Sequence, residues 1–218
     1  MFKKTDLAEK YMIAIIDYGV GNLFSLKSSF AAIGEEAVVT GDEKVLNSAD
    51  RILLPGVGAF GDAAAKLRAT GMDKAVIEQA AMGKPLLGVC VGMQLLFDMD
   101  YEYGEHPGLG LIPGEVRDIG EVIDPSLKKP QIGWNALKFI KRPDGEISKL
   151  FKYIHEGDHM YFVHSYAAAK CDSFVTSTTE YSADLVASVE RGNVYGTQFH
   201  PEKSGPAGLA ILKAFCEL

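Results

Sequence analysis

Cysteine is scarce, with only Cys90, Cys171 and Cys216 in 218 residues. So odd and sparse a set cannot form the disulfide framework of a secreted scaffold and is ordinary in a reducing compartment, which predicts a cytoplasmic protein. Long apolar runs are missing too. No stretch approaches the ~20 apolar residues of a membrane span, and the opening MFKKTDLAEKYM carries two lysines with no apolar segment behind them, so no targeting peptide is expected. Basic charge is in deficit: 22 Lys and Arg against 29 Asp and Glu give a net charge of −7, which repels a phosphate backbone or an anionic bilayer. Repeats, low-complexity tracts and linkers are also lacking, so one domain is expected. What the chain does have is core material: 47% of it is hydrophobic, and at this length a domain buries roughly 70% of its unfolded surface.

The first half alternates strand-length apolar runs with helical stretches: strands over 12–16, 36–40, 51–54 and 86–89, and helices over 23–33 and in a long stretch ending at Met82. That alternation predicts an α/β fold with a mostly parallel central sheet flanked by helices. Gly34 and Gly83 close the helices, and a further helix after Cys90 fades by Asp100 into a looser region punctuated by Pro107-Gly108 and Pro113-Gly114. The second half is β-rich, with strands predicted over 134–140, 160–166, 174–178, 185–189 and 194–199, a hairpin turn at Arg191-Gly192-Asn193, and a C-terminal helix over 207–215.

Gly88-Val89-Cys90-Val91-Gly92 is a G-x-C-x-G between a strand and a helix, the thiol counterpart of the nucleophile elbow. Small flanking residues allow the tight turn that exposes a nucleophile, and the unpaired N–H groups of the following helix favour a thiolate. Taken alone, Cys90 reads more readily as a buried core thiol. Gln198-Phe199-His200-Pro201-Glu202 changes that reading, because a thiol nucleophile needs an imidazole to move its proton and the imidazole needs a carboxylate to orient it. In an extended segment pinned by Pro201, His200 and Glu202 would point the same way. Acyl transfer also needs oxyanion donors: the N–H of Val91 for one, and the backbone of the glycine-rich 54–60 segment, at Val57 and Gly58, for another.

Two motifs compete with this reading. Gly56-Val57-Gly58-Ala59-Phe60-Gly61 matches G-x-G-x-x-G, yet it follows the third predicted strand and comes after a proline, which disfavours a dinucleotide site. His155-Glu156-Gly157-Asp158-His159 matches H-E-x-x-H, but Gly157-Asp158 beside a strand breaks the continuous helix that zinc binding by that motif requires. No metal or other cofactor is predicted. His106 and His164 have no comparable partners in sequence and default to structural roles.

Gly88-Val89-Cys90-Val91-Gly92-Met93-Gln94 and His200-Pro201-Glu202 resemble the nucleophile and His-Pro-Glu motifs of class I glutamine amidotransferases. Within that class, the segments 16–23, 54–58, 133–135, 161–166 and 199–204 are similar to the glutaminase subunits of imidazole glycerol phosphate synthases. The resemblance starts at about residue 12 and runs to the C-terminus, which implies an N-terminal extension over 1–11 and one amidotransferase domain over 12–218. The resemblance implies hydrolysis of glutamine to glutamate and ammonia through a thioester on Cys90, with His200 shuttling the proton and Glu202 orienting it. It implies that Gly56, Gln94, Glu102 and the backbone around Ser165 and Tyr166 hold the glutamine. It also implies a heterodimer with a cyclase subunit, an eight-stranded β/α barrel that uses the ammonia in histidine biosynthesis, with Asn22, Trp134, Asn135 and Lys203 facing that partner. The chain departs from the family pattern at Val91, Asp100-Tyr101 and Gln131-Ile132. The competing readings are an anthranilate-type amidotransferase subunit with the same triad, and a non-catalytic binding module that uses Gly56 to Gly61 for an anion.

Overall fold

The computed structural model describes residues 11–142 and 145–218, so residues 1–10 of the expected extension lie outside the described residues. The parallel half of the fold is built as the alternation predicts, from β1 (Ile13–Ile16), α1 (Leu23–Ala32), β2 (Ala37–Thr40), β3 (Arg51–Leu54) and β4 (Leu86–Val89). The chain adds a short helix α2 (Glu43–Ser48) that the apolar pattern does not announce; Asp42 caps it by accepting from the Lys44 N–H. The long helical stretch divides into α3 (Phe60–Ala69) and α4 (Met72–Ala81), because Gly71 takes φ +75° between them, a left-handed conformation that ends one helix and starts the next.

The helix after Cys90 is far shorter than expected: α5 covers only Val91–Gln94. The region read as loose forms β5 (Met99–Asp100), β6 (His106–Pro107) and β7 (Glu115–Asp118), followed by β8 (Gln131–Phe139), β9 (His159–His164), β10 (Tyr166–Ala169), β11 (Val175–Glu180), β12 (Asp184–Arg191), β13 (Val194–Thr197) and α6 (Gly205–Phe215). The single strand expected over 160–166 is two strands. The chain leaves one sheet at Ser165 and enters the other at Tyr166, a switch invisible in a continuous apolar run.

Nine strands form one sheet in the order β2-β1-β3-β4-β13-β12-β11-β8-β9, and β10-β7-β5-β6 form a second. Pairing is parallel from β2 to β13 and antiparallel from β13 to β9. The β-rich second half therefore extends the parallel sheet and also supplies the smaller one. β1, β3, β4 and β13 are buried at every position, as strands with both faces covered must be. One cover contains α1 and α6 in mutual contact; the other contains α3 and α4. The carboxyl ends of β1, β3, β4 and β13 open side by side, the place where a parallel sheet presents loops that can form a site.

Candidate active site

Cys90 sits between the last residue of β4 and the first of α5 with φ +56° and ψ −115°, a backbone state that non-glycine residues seldom adopt. The flanking glycines make this turn possible. A Cβ on Gly92 would lie 1.9 Å from the Leu54 carbonyl oxygen at the end of β3, and one on Gly88 would lie 2.6 Å from the Gly92 carbonyl oxygen. With only four residues in α5, few peptide dipoles add up, so the local N–H groups matter more here than a macrodipole.

β13 carries the second part of the site to Cys90. It runs parallel to β4 with Thr197 opposite Val89, and the Cys90 N–H donates to the Thr197 carbonyl at 2.8 Å. Three residues further on, His200 lines the same cleft as Cys90, near enough for the sulfur to act on its ring, and places Nδ1 2.9 Å from Oε1 of Glu202 on the other side. The segment is not extended as expected: Pro201 starts a 3-10 turn over Pro201–Lys203, and this tight turn folds the Glu202 carboxylate back onto the ring two residues earlier. Both side chains are almost fully buried, at 2% and 1% exposure. Burial opposes the imidazolium charge, but hydrogen bonds and negative charge from Cys90 and Glu202 outweigh it and raise His200 from 6.5 to about 9. Ser204 locks the main chain behind the ring, its hydroxyl donating to the His200 carbonyl at 2.7 Å while accepting from the Tyr161 N–H at 2.9 Å.

A cleft of about 380 Å³ opens over the sulfur, lined by Val57, Gly58, Val91, Gln94, Glu102, Ser165, Tyr166, His200 and Lys203 among others. Most residues singled out in the sequence thus converge here. Gly56 does not line the cleft. Its role is close approach, since a Cβ there would sit 2.4 Å from the Gly92 nitrogen. The G-x-G-x-x-G segment is therefore backed onto the Cys90 elbow, against the space a dinucleotide would need. The H-E-x-x-H segment ends at β9 after a turn with Gly157 at φ +93°, and is no helix.

Glu102 reaches the cleft from the turn after β5; its Oε2 accepts from the Phe60 N–H at 2.6 Å at the start of α3. Asp100, fully buried, supports that turn by accepting from the Glu102 N–H at 2.6 Å. Burial pushes its carboxyl up to about 6, opposed by that hydrogen bond and reinforced by the charge of Glu102.

Of the residues expected to face a partner, Trp134 and Lys203 come together on Tyr161: the indole meets its ring edge-on at 4.9 Å and the ammonium lies 5.6 Å from its centroid. The Tyr161 ring in turn lies 6.4 Å from that of His200. Asn135 turns away to donate to the Glu180 carbonyl at 3.4 Å, and Asn22 caps α1 by accepting from the Ser25 N–H.

Four residues of the site escaped the sequence reading. His164 is not merely structural: it lines the cleft, with Nδ1 donating to the Tyr166 carbonyl at 2.9 Å and burial lowering it to about 4. The Tyr18 hydroxyl donates to the Pro55 carbonyl at 2.7 Å and tethers the 55–58 loop. Gln198 and Ser204 flank His200. Only their closeness in sequence to His200 could have flagged them, whereas the Tyr18 contact with Pro55 and the place of His164 in the cleft depend on tertiary packing.

Comparison with known proteins agrees with this geometry. The family model described as glutamine amidotransferase class-I matches residues 14–217. The imidazole glycerol phosphate synthase subunit HisH of Wolinella succinogenes is 45% identical over 209 residues, covering 95% of this chain and 100% of the relative. The subunit of the same name from Sulfurimonas denitrificans is 46% identical, covering 94% and 97%. Among solved structures, a glutamine amidotransferase crystal structure aligns with a TM-score of 0.72 at 19% identity, covering 94% of this chain and 97% of that one. PurLQS from Thermotoga maritima also gives 0.72, at 20% identity and 95% and 98% coverage, and at such identities the likeness is one of fold. The chain therefore belongs to the class I glutamine amidotransferases and, within them, to the HisH subunits of imidazole glycerol phosphate synthase.

Proposed function

We propose that the chain hydrolyses glutamine to glutamate and ammonia by nucleophilic catalysis at Cys90. The observation that carries this reading is the buried row of sulfur, imidazole and carboxylate made by Cys90, His200 and Glu202. The thiolate attacks the side-chain amide carbon of glutamine, and the oxyanion takes hydrogen bonds from the Val91 N–H, which has no partner within its helix, and from the backbone at Val57 and Gly58. The imidazolium of His200 gives its proton to the departing nitrogen, so ammonia leaves and a thioester remains. His200 then takes a proton from water, the hydroxide attacks the thioester, and glutamate is released with the sulfur restored.

The cleft is suited to hold the α-amino end of glutamine. Both Nε2 hydrogens of Gln94 are engaged, with the Tyr166 carbonyl at 3.1 Å and with Oε1 of Gln198 at 3.0 Å. Gln94 therefore offers substrate only its oxygen, and with the Glu102 carboxylate this makes an acceptor pair fit for an ammonium group. The main chain at Ser165 and Tyr166, where the polypeptide passes between sheets, is available for the carboxylate end. Gly56 supports this site through the loop without touching substrate.

The ammonia acceptor we infer is a separate cyclase subunit, an eight-stranded β/α barrel acting in histidine biosynthesis. The names of the relatives favour it over an anthranilate-type synthase. Trp134 and Ile132, 61% and 62% exposed on one face of β8, form an apolar surface continuous with Tyr161 and thence with His200. Phe24, 82% exposed on α1, shares a depression with Glu202 and extends the same side. Such exposed aromatics are the residues that anchor protein interfaces. A non-catalytic module would leave the buried triad without purpose. Among the described residues no helix is long and apolar enough to cross a membrane; we place the reaction in the cytoplasm and treat residues 12–218 as one domain, since one sheet runs through both halves of the chain.

Glutamate release should be slow with the chain alone and rise at least tenfold when the barrel and its ribonucleotide are added, because the oxyanion donors of the 56–58 loop must be aimed at the reacting oxygen. Cys90→Ala should retain the fold, seen by circular dichroism, and release no glutamate under either condition. Turnover by that variant would refute the triad, and equal wild-type rates with and without the barrel would refute the coupling.

A further inference from the structure

The sulfur of Cys90 has a second polar neighbour besides the imidazole. Gln198 is fully buried, and its side-chain nitrogen lies 3.7 Å from the Cys90 sulfur. The position follows from the ladder: with Thr197 opposite Val89, the next residues along β13 and β4 are Gln198 and Cys90.

Nitrogen and oxygen of an amide are interchangeable in shape, so the end facing the sulfur must be fixed by its partners. The chain of partners begins at the Tyr166 carbonyl, which can only accept. It takes Nδ1–H of His164 at 2.9 Å and Nε2–H of Gln94 at 3.1 Å. The second hydrogen on Gln94 Nε2 then needs an acceptor, and the atom 3.0 Å away on Gln198 must be its oxygen. That leaves Gln198 no choice but to turn its NH2 to the sulfur. A carboxamide held with its donor end on a buried sulfur stabilises the anion and does little for the neutral thiol, which can itself donate.

We propose that Gln198 is a further catalytic residue, its amide N–H donating to the Cys90 thiolate in an orientation dictated by Gln94 and the Tyr166 carbonyl. The inference deepens the reading of Cys90 as nucleophile and rests on it. During attack the sulfur surrenders its negative charge to the substrate oxygen, and when the thioester is hydrolysed the leaving thiolate regains the same hydrogen bond. Gln198 thus helps most in the step that expels the sulfur, while Gln94 acts as a positioning residue through it.

The test measures alkylation of Cys90 by iodoacetamide against pH, followed by mass spectrometry of the Cys90 peptide so that Cys171 and Cys216 do not contribute. Gln198→Met keeps the side-chain length and loses the donor. Its alkylation rate at pH 7 should fall about tenfold, the scale of a hydrogen bond to a charged group, and should converge on the wild-type rate at alkaline pH, where the sulfur is ionised in both. The thiolate absorbance near 240 nm, defined as the part lost in Cys90→Ala, should follow the same curve. If Gln198→Met does not fold, Gln198→Glu has the wild-type shape and should show a larger loss, because its carboxylate opposes the charge on sulfur. Superimposable pH profiles in a folded variant, or one factor of loss at every pH, would overturn the proposal. Iodoacetamide needs no glutamine pocket, so a wild-type chain with a normal alkylation profile and no glutamate release with its partner would fail the proposed function alone.

Discussion

His200 holds a proton that it would surrender in water, and the reason lies in two neighbours on opposite sides of one ring. The raised value of about 9 against an ordinary 6.5 has a direct thermodynamic consequence. A folded pKa above the unfolded one contributes stability that is fully present below about pH 6.5 and is lost as pH rises through about 9. Urea midpoints of the wild-type chain should therefore fall across that window, and more steeply than those of Glu202→Gln, which deprives the imidazolium of its carboxylate. The same variant should lose about 10²- to 10⁴-fold in turnover, because the ring keeps its place but not its tautomer or charge. A Glu202→Gln profile as steep as the wild type, or an undiminished rate, would show that the carboxylate does not govern the imidazole.

Elements decide how close these groups come. The elbow after β4 and the 55–58 loop after β3 lie backbone against backbone, and Gly56 and Gly92 are the residues that permit it. Gly56→Ala would drive a methyl to 2.4 Å from the Gly92 nitrogen, against main chain that cannot give way cheaply. It should lower stability by about 2 kcal/mol or more, and it should cut turnover even at temperatures where the variant is fully folded, since the loop withdraws from the oxyanion. Chemical denaturation paired with rates at low temperature separates the two effects; a variant with wild-type rate and stability would mean that the loop has room to spare. At this scale the sequence was partly legible. β3 and β4 coincide with the apolar runs 51–54 and 86–89 because buried parallel strands are short apolar runs with clear breaks. The four-stranded sheet is not legible in the sequence, because β5 and β6 have two residues each and carry no period. The division at Ser165 was hidden for a related reason: a strand that changes sheets keeps its β character throughout.

For the whole molecule, the exposed aromatic face around Trp134 is, under the proposed function, the side from which ammonia would leave. Trp134→Ala should weaken the complex with the proposed barrel partner about 30-fold or more, the scale of an aromatic anchor at the centre of an interface, measured by titration calorimetry. Unchanged affinity would move the docking surface elsewhere, with Phe24 on α1 as the next exposed aromatic to test.

The sequence by itself determined the chemistry: G-x-C-x-G around Cys90 and His200-Pro201-Glu202 are local patterns, because a tight nucleophile turn and an imidazole oriented by its own near neighbour are built within a few residues. Only the tertiary structure decided which other side chains meet the sulfur and the substrate. Gln198 faces Cys90 through the register of β13 on β4, Tyr18 reaches Pro55 across the ends of β1 and β3, and Gln94 meets the Tyr166 carbonyl where the chain crosses between sheets. Contacts of that kind depend on strand order and register, which are set by burial of the whole sheet and leave no signature in any short stretch of the chain.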